Sequence, residues 1–260
     1  MSVKIIKNVD IGNIPPTPAI PIIDDARTPE ATSNLIEIAG FHGYPVSYRQ
    51  EQGGRLIQNI VPVHKNENQQ ISTSSKVELY LHTETAFHPY KPTHVILMCL
   101  RGDETALTTY SSLDDIVSEL SEEQINVLRT PNFTTSLDDS FMMDGEPDFT
   151  LGITPLSRDK AGHDVFTFDW ALMRGKTTEA QSTLSAVRDA ISKTTKEVAL
   201  KSGEVMVIDN RVAVHGRKPF QPKYDGSDRW VKRILTIDRL PPRKYMDEHV
   251  IDFDFEEEAM

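Results

Sequence analysis

Lys76-Val77-Glu78-Leu79-Tyr80-Leu81-His82-Thr83-Glu84 is the stretch from which the rest of the chain can be read. Val77, Leu79 and Leu81 alternate with Glu78 and Tyr80, a period of two that predicts a strand with one apolar face. On a helix, residues two apart face nearly opposite ways; on a strand they share a face. The strand reading therefore lets His82 and Glu84 project together, in line with Glu78 and Tyr80. The solvated side of an ordinary strand carries the same pattern, and His-x-Glu alone is common.

Outward from this stretch the chain is rich in strand patterns. His94 to Leu100 is apolar enough for a fully buried strand. Val3 to Ile6 fits an edge strand, and Asp164 to Trp170, Glu204 to Asp209 and Trp230 to Ile237 are further strand candidates. Helices are fewer. Pro29 to Gly40 has Thr28 as a cap, proline in its first turn, and Leu35, Ile36 and Ala39 on one side. Ser112 to Arg129 predicts two short helices capped by Ser111 or Ser112 and by Ser121. Thr178 to Lys201 predicts the longest helix, with Ala180, Leu184, Val187, Ile191 and Val198 at helical spacing and Gly203 as its stop. The tail from Asp247 onward is acidic and is expected to be solvated. Many strands with a few helices predict a β-rich α+β fold, the helices outside the β core. No repeat or linker divides the 260 residues, so a single domain over 1–260 is expected.

Composition narrows the function. A formal net charge of −11 argues against a nucleic-acid binder, which needs a basic face. The one cysteine, Cys99, excludes sites built from several thiolates, and its apolar setting predicts a buried, inert thiol. No apolar run approaches the roughly 18 residues of a membrane span, and the first residues lack a signal-peptide core, so a soluble, cytoplasmic protein is expected. Gly175-Lys176-Thr177 resembles the end of a phosphate-binding loop, but Trp170 stands where the first glycine belongs. His-Glu-x-x-His and Gly-x-Ser-x-Gly are absent.

His82 and Glu84 on one face are two legs of the facial triad that holds non-haem iron(II), a set that leaves three positions for a 2-oxo acid and dioxygen. His215, in Asp209-Asn210-Arg211-Val212-Ala213-Val214-His215-Gly216-Arg217, follows an apolar run and precedes a glycine, as a third ligand at the end of a core strand would. A core histidine satisfied by its neighbours fits the same place. Beyond it, alternation in Arg229-Trp230-Val231-Lys232-Arg233-Ile234-Leu235-Thr236-Ile237 puts Arg229 and Arg233 on one face with Val231, Leu235 and Ile237. Both faces are mixed, so the pattern leaves the inward side open. If the arginines face inward they need anions, since an unpaired buried charge is costly. Those anions are either small carboxylates, which guanidinium groups grip by two prongs, or the chain's own Asp and Glu.

Together these segments resemble the clavaminate synthase-like branch of the Fe(II)/2-oxoglutarate-dependent oxygenases, closest to its free-amino-acid hydroxylases of the arginine and asparagine type. The resemblance lies in GRLIQNIVPV through STSSKVELYLHTETAFHPYKPTHVILMCLRGD (54–103), in TALTTYSSLDDI, and in DNRVAVHGRKPFQPKYDGSDRWVKR (209–233). It implies a distorted double-stranded β-helix, or jelly roll, with flanking helices. It implies that His82, Glu84 and His215 hold Fe(II), and that Arg229 grips the distal carboxylate of 2-oxoglutarate. Thr109 would assist it, with Thr108 the neighbouring candidate. It implies that Arg233 pairs with the substrate α-carboxylate, and it places Asp169 on the substrate. Gln50, Glu51 and Gln52 would lie near the substrate amino group, although a solvated loop also fits these three and a surface strand end also fits Asp169.

The activity so implied couples decarboxylation of 2-oxoglutarate to succinate and CO2, with O2 as oxidant, to hydroxylation of a small-molecule amino acid. Arginine is the first expectation, from Asp169 and the acidic chain; Thr167, two before it, supplies no second carboxylate. Lysine, asparagine and citrulline remain open. Desaturation, epoxidation or cyclisation by the same machinery, and a non-catalytic metal- or anion-binding jelly roll, are the alternatives. Glu84 speaks against halogenation, which needs a small residue in its place.

Overall fold

The computed structural model describes residues 1–138, 141 and 150–255. The largest sheet has eight strands. Seven run in the order Val3–Ile6, Val205–Asp209, His94–Arg101, Trp230–Ile237, Tyr44–Tyr48, Val250–Ile251 and Met246–Asp247, and Gln58–Ile60 pairs beside Tyr44–Tyr48 on Trp230–Ile237. A second sheet of four strands runs Lys196–Val198, Thr108–Ser112, Ala213–Arg217 and Leu79–His82. A three-stranded sheet (Phe133–Ser136, Thr150–Ile153, Met173–Gly175) and the pair Leu156–Arg158 with Asp164–Phe166 complete the strands among the described residues.

Alternation along the central strands builds the layers. From His94–Arg101, residues Val95, Leu97 and Cys99 enter the same core as Met206, Val231, Leu235 and Ala213, so this core lies between the two large sheets. Their neighbours Ile96, Met98 and Leu100 face the other way, onto Ala31, Leu35 and Ala39 of the helix Pro29–Gly40. On the outside of the four-stranded sheet, Leu81 and Val214 meet Leu113, Ile116, Leu128, Leu184, Val187 and Ile191 of the remaining helices. The strand His94–Arg101 is thus apolar on both faces. That is why His94–Arg101 reads as an unbroken apolar run.

The Pro29–Gly40 helix has the expected bounds, although Thr28 caps it without a side-chain hydrogen bond. Leu113–Ser118 and Glu122–Leu128 start on Ser112 and Ser121, the latter with a reciprocal Gln124 cap. The longest helix stops at Thr194, short of the expected Lys201. There the chain turns extended, and Lys196–Val198 pairs with Tyr110–Thr108. Sheet pairing overrides the helical spacing that continued to Val198. The strand from Asp164 likewise ends at Phe166, and the strand of the opening stretch covers only Leu79–His82. The tail is a further correction. Val250 and Ile251 form a buried strand beside Ser47 and Tyr48, and Phe253 is buried; residues 256–260 lie outside the described residues. No described helix is long and apolar enough to cross a membrane. Cys99 is fully buried, and burial pushes its thiol up to about 11, as an inert thiol requires.

Candidate active site

Two strands carry the metal-type ligands. His215 lies directly opposite His82 in the antiparallel pairing of Ala213–Arg217 with Leu79–His82. Gly216 makes that pairing possible: a Cβ there would stand 2.4 Å from the Leu79 carbonyl oxygen. Just past the strand end, Thr83 is pinned to Phe168 by bonds in both directions. Glu84 is fixed by Asn210, which accepts from the Glu84 N–H at 2.7 Å and donates to the Glu84 carbonyl at 3.2 Å. Asn210 comes from the same segment as His215, so one side chain ties the two ligand-bearing segments together.

His82, Glu84 and His215 each offer a ligand atom, all within 4.8 Å of one another. His82 Nδ1 sits 2.7 Å from the Tyr80 carbonyl, which makes it the N–H donor and leaves Nε2 with its lone pair. His215 Nε2 is 3.4 Å from Glu84 Oε2. Bonds of about 2.1 Å at right angles around one metal would put neighbouring ligand atoms about 3 Å apart. Glu84 Oε2 and His215 Nδ1 are buried without hydrogen-bond partners. Burial depresses the His215 pKa, keeping the ring neutral. Two imidazoles and a carboxylate with an unused buried oxygen are the donor set that suits iron(II).

Beside this set, Arg233 Nη1 donates to Glu84 Oε1 at 2.8 Å and Nη2 to Glu51 Oε2 at 3.0 Å. Gln58 accepts from Arg233 Nε at 2.8 Å and donates to Glu51 at 3.0 Å. Burial opposes ionisation of Glu84, yet Arg233 first, then His215, hold its carboxyl well below the usual carboxylate range. At Glu51 burial wins and lifts the carboxyl above that range. Of the two anion sources open to Arg233, the chain's own carboxylates are the ones seen here. Glu51 lies in a turn, as a loop reading has it, but its side chain is drawn into this cluster rather than solvated.

Arg229 contrasts with Arg233. It is buried, its one hydrogen bond is a long 3.5 Å contact to Thr108 Oγ1, and no carboxylate lies within 4 Å of it among the described residues. Thr109 does not share this end of the cavity. It lies opposite Gly216 in the sheet, with its hydroxyl on the far face and unpartnered. The register Arg217↔Thr108 instead puts Thr108 beside Arg229.

These groups line one cavity of about 340 Å³, into which Gln50, Gln52 and Asp169 also face. Asp169 bridges to His82 as an isolated sheet pair. Its Oδ1 accepts the Ala171 and Leu172 N–H groups at 2.8 and 2.6 Å, and its Oδ2 has no such partner among the described residues. Gln52, in a left-handed conformation at φ 46°, bonds the Asn59 carbonyl and leaves its Oε1 buried and unpaired. Sequence reasoning missed Gln58, Asn210 and Arg217. All three lie inside the quoted blocks, but nothing local marks an amide or a guanidinium as buried.

Comparison with known proteins agrees with this geometry. The chain is 37% identical over 230 residues to the L-lysine 3-hydroxylase of Catenulispora acidiphila, covering 87% of this chain and 64% of that protein. It is 32% identical to the L-asparagine oxygenase of Streptomyces coelicolor, covering 89% and 69%. The chain thus spans about two-thirds of the length of these relatives. In structure it resembles the non-heme iron oxygenase OrfP, solved with Fe, succinate and (3S)-hydroxy-L-Arg. That match has a TM-score of 0.84 at 29% identity and covers 96% of this chain and 82% of that one. Residues 19–235, which hold every ligand candidate named above, match a single family, and the chain belongs to it: taurine catabolism dioxygenase TauD, TfdA family.

Proposed function

We propose that this chain is an Fe(II)/2-oxoglutarate-dependent dioxygenase that hydroxylates an unactivated carbon of a free L-amino acid, with His82, Glu84 and His215 holding the metal. The observation that carries the reading is the His–Glu–His cluster, with Glu84 and His215 buried, lining the same cavity as a buried cation, Arg229, that has no carboxylate within 4 Å among the described residues. The two large sheets are then the walls of a distorted double-stranded β-helix, and 1–260 is a single oxygenase domain.

Iron(II) with 2-oxoglutarate and O2 supplies oxidative decarboxylation to succinate and CO2, which drives the hydroxylation. The chain's own residues position and shield. The Tyr80 carbonyl fixes the His82 tautomer, and Asn210 holds Glu84 in place. Arg229 with Thr108 receives the distal carboxylate of 2-oxoglutarate, which gives the buried guanidinium its counter-ion. Arg233 is the nearest cation for a substrate α-carboxylate, and Glu51 and Gln52 offer acceptors for its amino group. The cavity holds substrate carbon close and aligned, and that pose decides hydroxylation against desaturation or cyclisation.

Asp169 faces the cavity and selects a cationic side chain. Arginine is the substrate first expected from the sequence. Lysine is favoured by a specific observation: Asp169 Oδ1 is spent on two backbone N–H groups, and one free oxygen suits an ammonium better than a two-pronged guanidinium. The similarity to a lysine 3-hydroxylase supports the same choice. The test is a screen of free L-amino acids for substrate-stimulated succinate, with mass spectrometry of the product. A gain of one oxygen on lysine or arginine is expected; succinate stimulated only by uncharged amino acids would overturn the cationic assignment.

A further inference from the structure

We propose that Arg217 is the second cation of the 2-oxo acid site, set with Arg229 to hold the distal carboxylate of a dicarboxylic co-substrate. This rests on the proposed oxygenase function and goes beyond it, since the resemblance singles out Arg229 alone at that end of the cavity.

Arg217 is 3% exposed and lines the same cavity as Arg229. It follows His215 by two on one strand, so the two side chains share a face. Its cross-strand partner is Thr108, whose hydroxyl also contacts Arg229. Arg217 and Arg229 therefore meet at Thr108, and both line the cavity. Arg217 donates only to neutral acceptors: Ser74 Oγ at 2.9 Å, the Lys218 carbonyl at 2.8 Å, and the Ser75 and Val77 carbonyls at 3.4 Å. Its Nε is buried with no partner. Phe220 covers the guanidinium at 5.0 Å. No carboxylate lies within 4 Å of it among the described residues.

Two buried guanidinium groups beside one threonine, lining one cavity, repel each other. A single carboxylate between them relieves both penalties at once. A pair matches a full carboxylate and discriminates against 2-oxo acids that lack one.

The test is anaerobic equilibrium binding to the Fe(II)-loaded protein by calorimetry, comparing 2-oxoglutarate with 2-oxopentanoate, which lacks the distal carboxylate. Arg217→Gln is expected to weaken 2-oxoglutarate by about tenfold or more while leaving 2-oxopentanoate within about twofold. Ser74→Ala, which cuts the loop anchor and keeps the charge, should leave both unchanged. Arg217→Lys, which keeps the charge and loses most of the anchoring bonds, should retain the preference for 2-oxoglutarate. That variant decides the matter if Arg217→Gln does not fold. Equal weakening of both ligands, no weakening, or loss of the preference in Arg217→Lys would overturn the proposal. Failure of the wild-type protein to bind 2-oxoglutarate would instead overturn the proposed function.

Discussion

Arg233 donates to Glu84 at 2.8 Å, so the carboxylate placed to hold a metal is also the counter-ion of a buried arginine. The arginine four residues earlier, Arg229, has no acid partner within 4 Å among the described residues. Two buried guanidinium groups, one just ahead of the strand Trp230–Ile237 and one within it, thus sit in opposite electrostatic states, and the first prediction below follows from that difference.

Arg233→Ala leaves Glu51 and Glu84 buried together without their cation. Breaking such a cluster typically costs about 3–5 kcal/mol. Denaturant unfolding of the metal-free protein should show a loss of that order. Arg229→Ala removes a charge with no carboxylate within 4 Å among the described residues, so its cost should be smaller, while 2-oxoglutarate affinity falls. If both variants lose stability equally, the two arginines are not in different states.

Removing a ligand should remove the metal signature. Anaerobic Fe(II) with 2-oxoglutarate is expected to give a weak visible charge-transfer band, absent in His82→Ala and in His215→Ala. A wild-type band that survives either substitution would place the metal elsewhere.

Asn210→Leu cuts the bonds that pin Glu84 and leaves the three ligands chemically intact. Supporting groups of this kind are typically worth about 10–100-fold in metal affinity. Competition with a chelator measures it. Unchanged affinity would show that Glu84 holds its position without Asn210.

Asp169→Asn keeps the shape and the Oδ1 acceptor but removes the charge facing the cavity. The ratio of kcat/KM for lysine or arginine over an uncharged amino acid should fall by about tenfold or more, roughly the worth of one charged hydrogen bond. A uniform loss for all substrates would make Asp169 a structural residue.

His88 gives the protein an acid limit. It is buried among Tyr48, Phe141, Phe253 and Phe255, and its Nδ1 accepts the Tyr90 N–H at 2.9 Å. Burial first, and Lys91 second, lower its pKa from 6.5 to about 3. The folded value is depressed, so the stabilisation is complete above 6.5 and is lost as pH falls from there towards 3. The slope from this one group is about 1.4 kcal/mol per pH unit within that window. Unfolding free energies at pH 7 and pH 5 should show it, and His88→Phe should flatten it. An unchanged pH dependence in His88→Phe would assign the acid limit to other groups.

Much of this was legible before the fold was known. The alternation around Leu79 to His82, the buried run of His94–Arg101, and the proline-led helix Pro29–Gly40 are local patterns, and local patterns survive into the structure. Where a long-range pairing competed, as at Lys196–Val198 against the end of the longest helix, the local reading lost.

By itself the sequence determined which residue types meet: two histidines and a glutamate with strand spacing, and arginines four apart on one strand face. It left open which face of Trp230–Ile237 turns inward. The tertiary structure answered that both do, with Lys232 buried under the first helix against Asp25 at 2.7 Å. Register alone decided that Thr108, and not Thr109, stands beside Arg229, and the turn after Tyr48 brings Glu51 to Arg233. A side chain's direction follows from its own strand, but its partner follows from a strand roughly a hundred or more residues away, and a slip of one residue turns every side chain over.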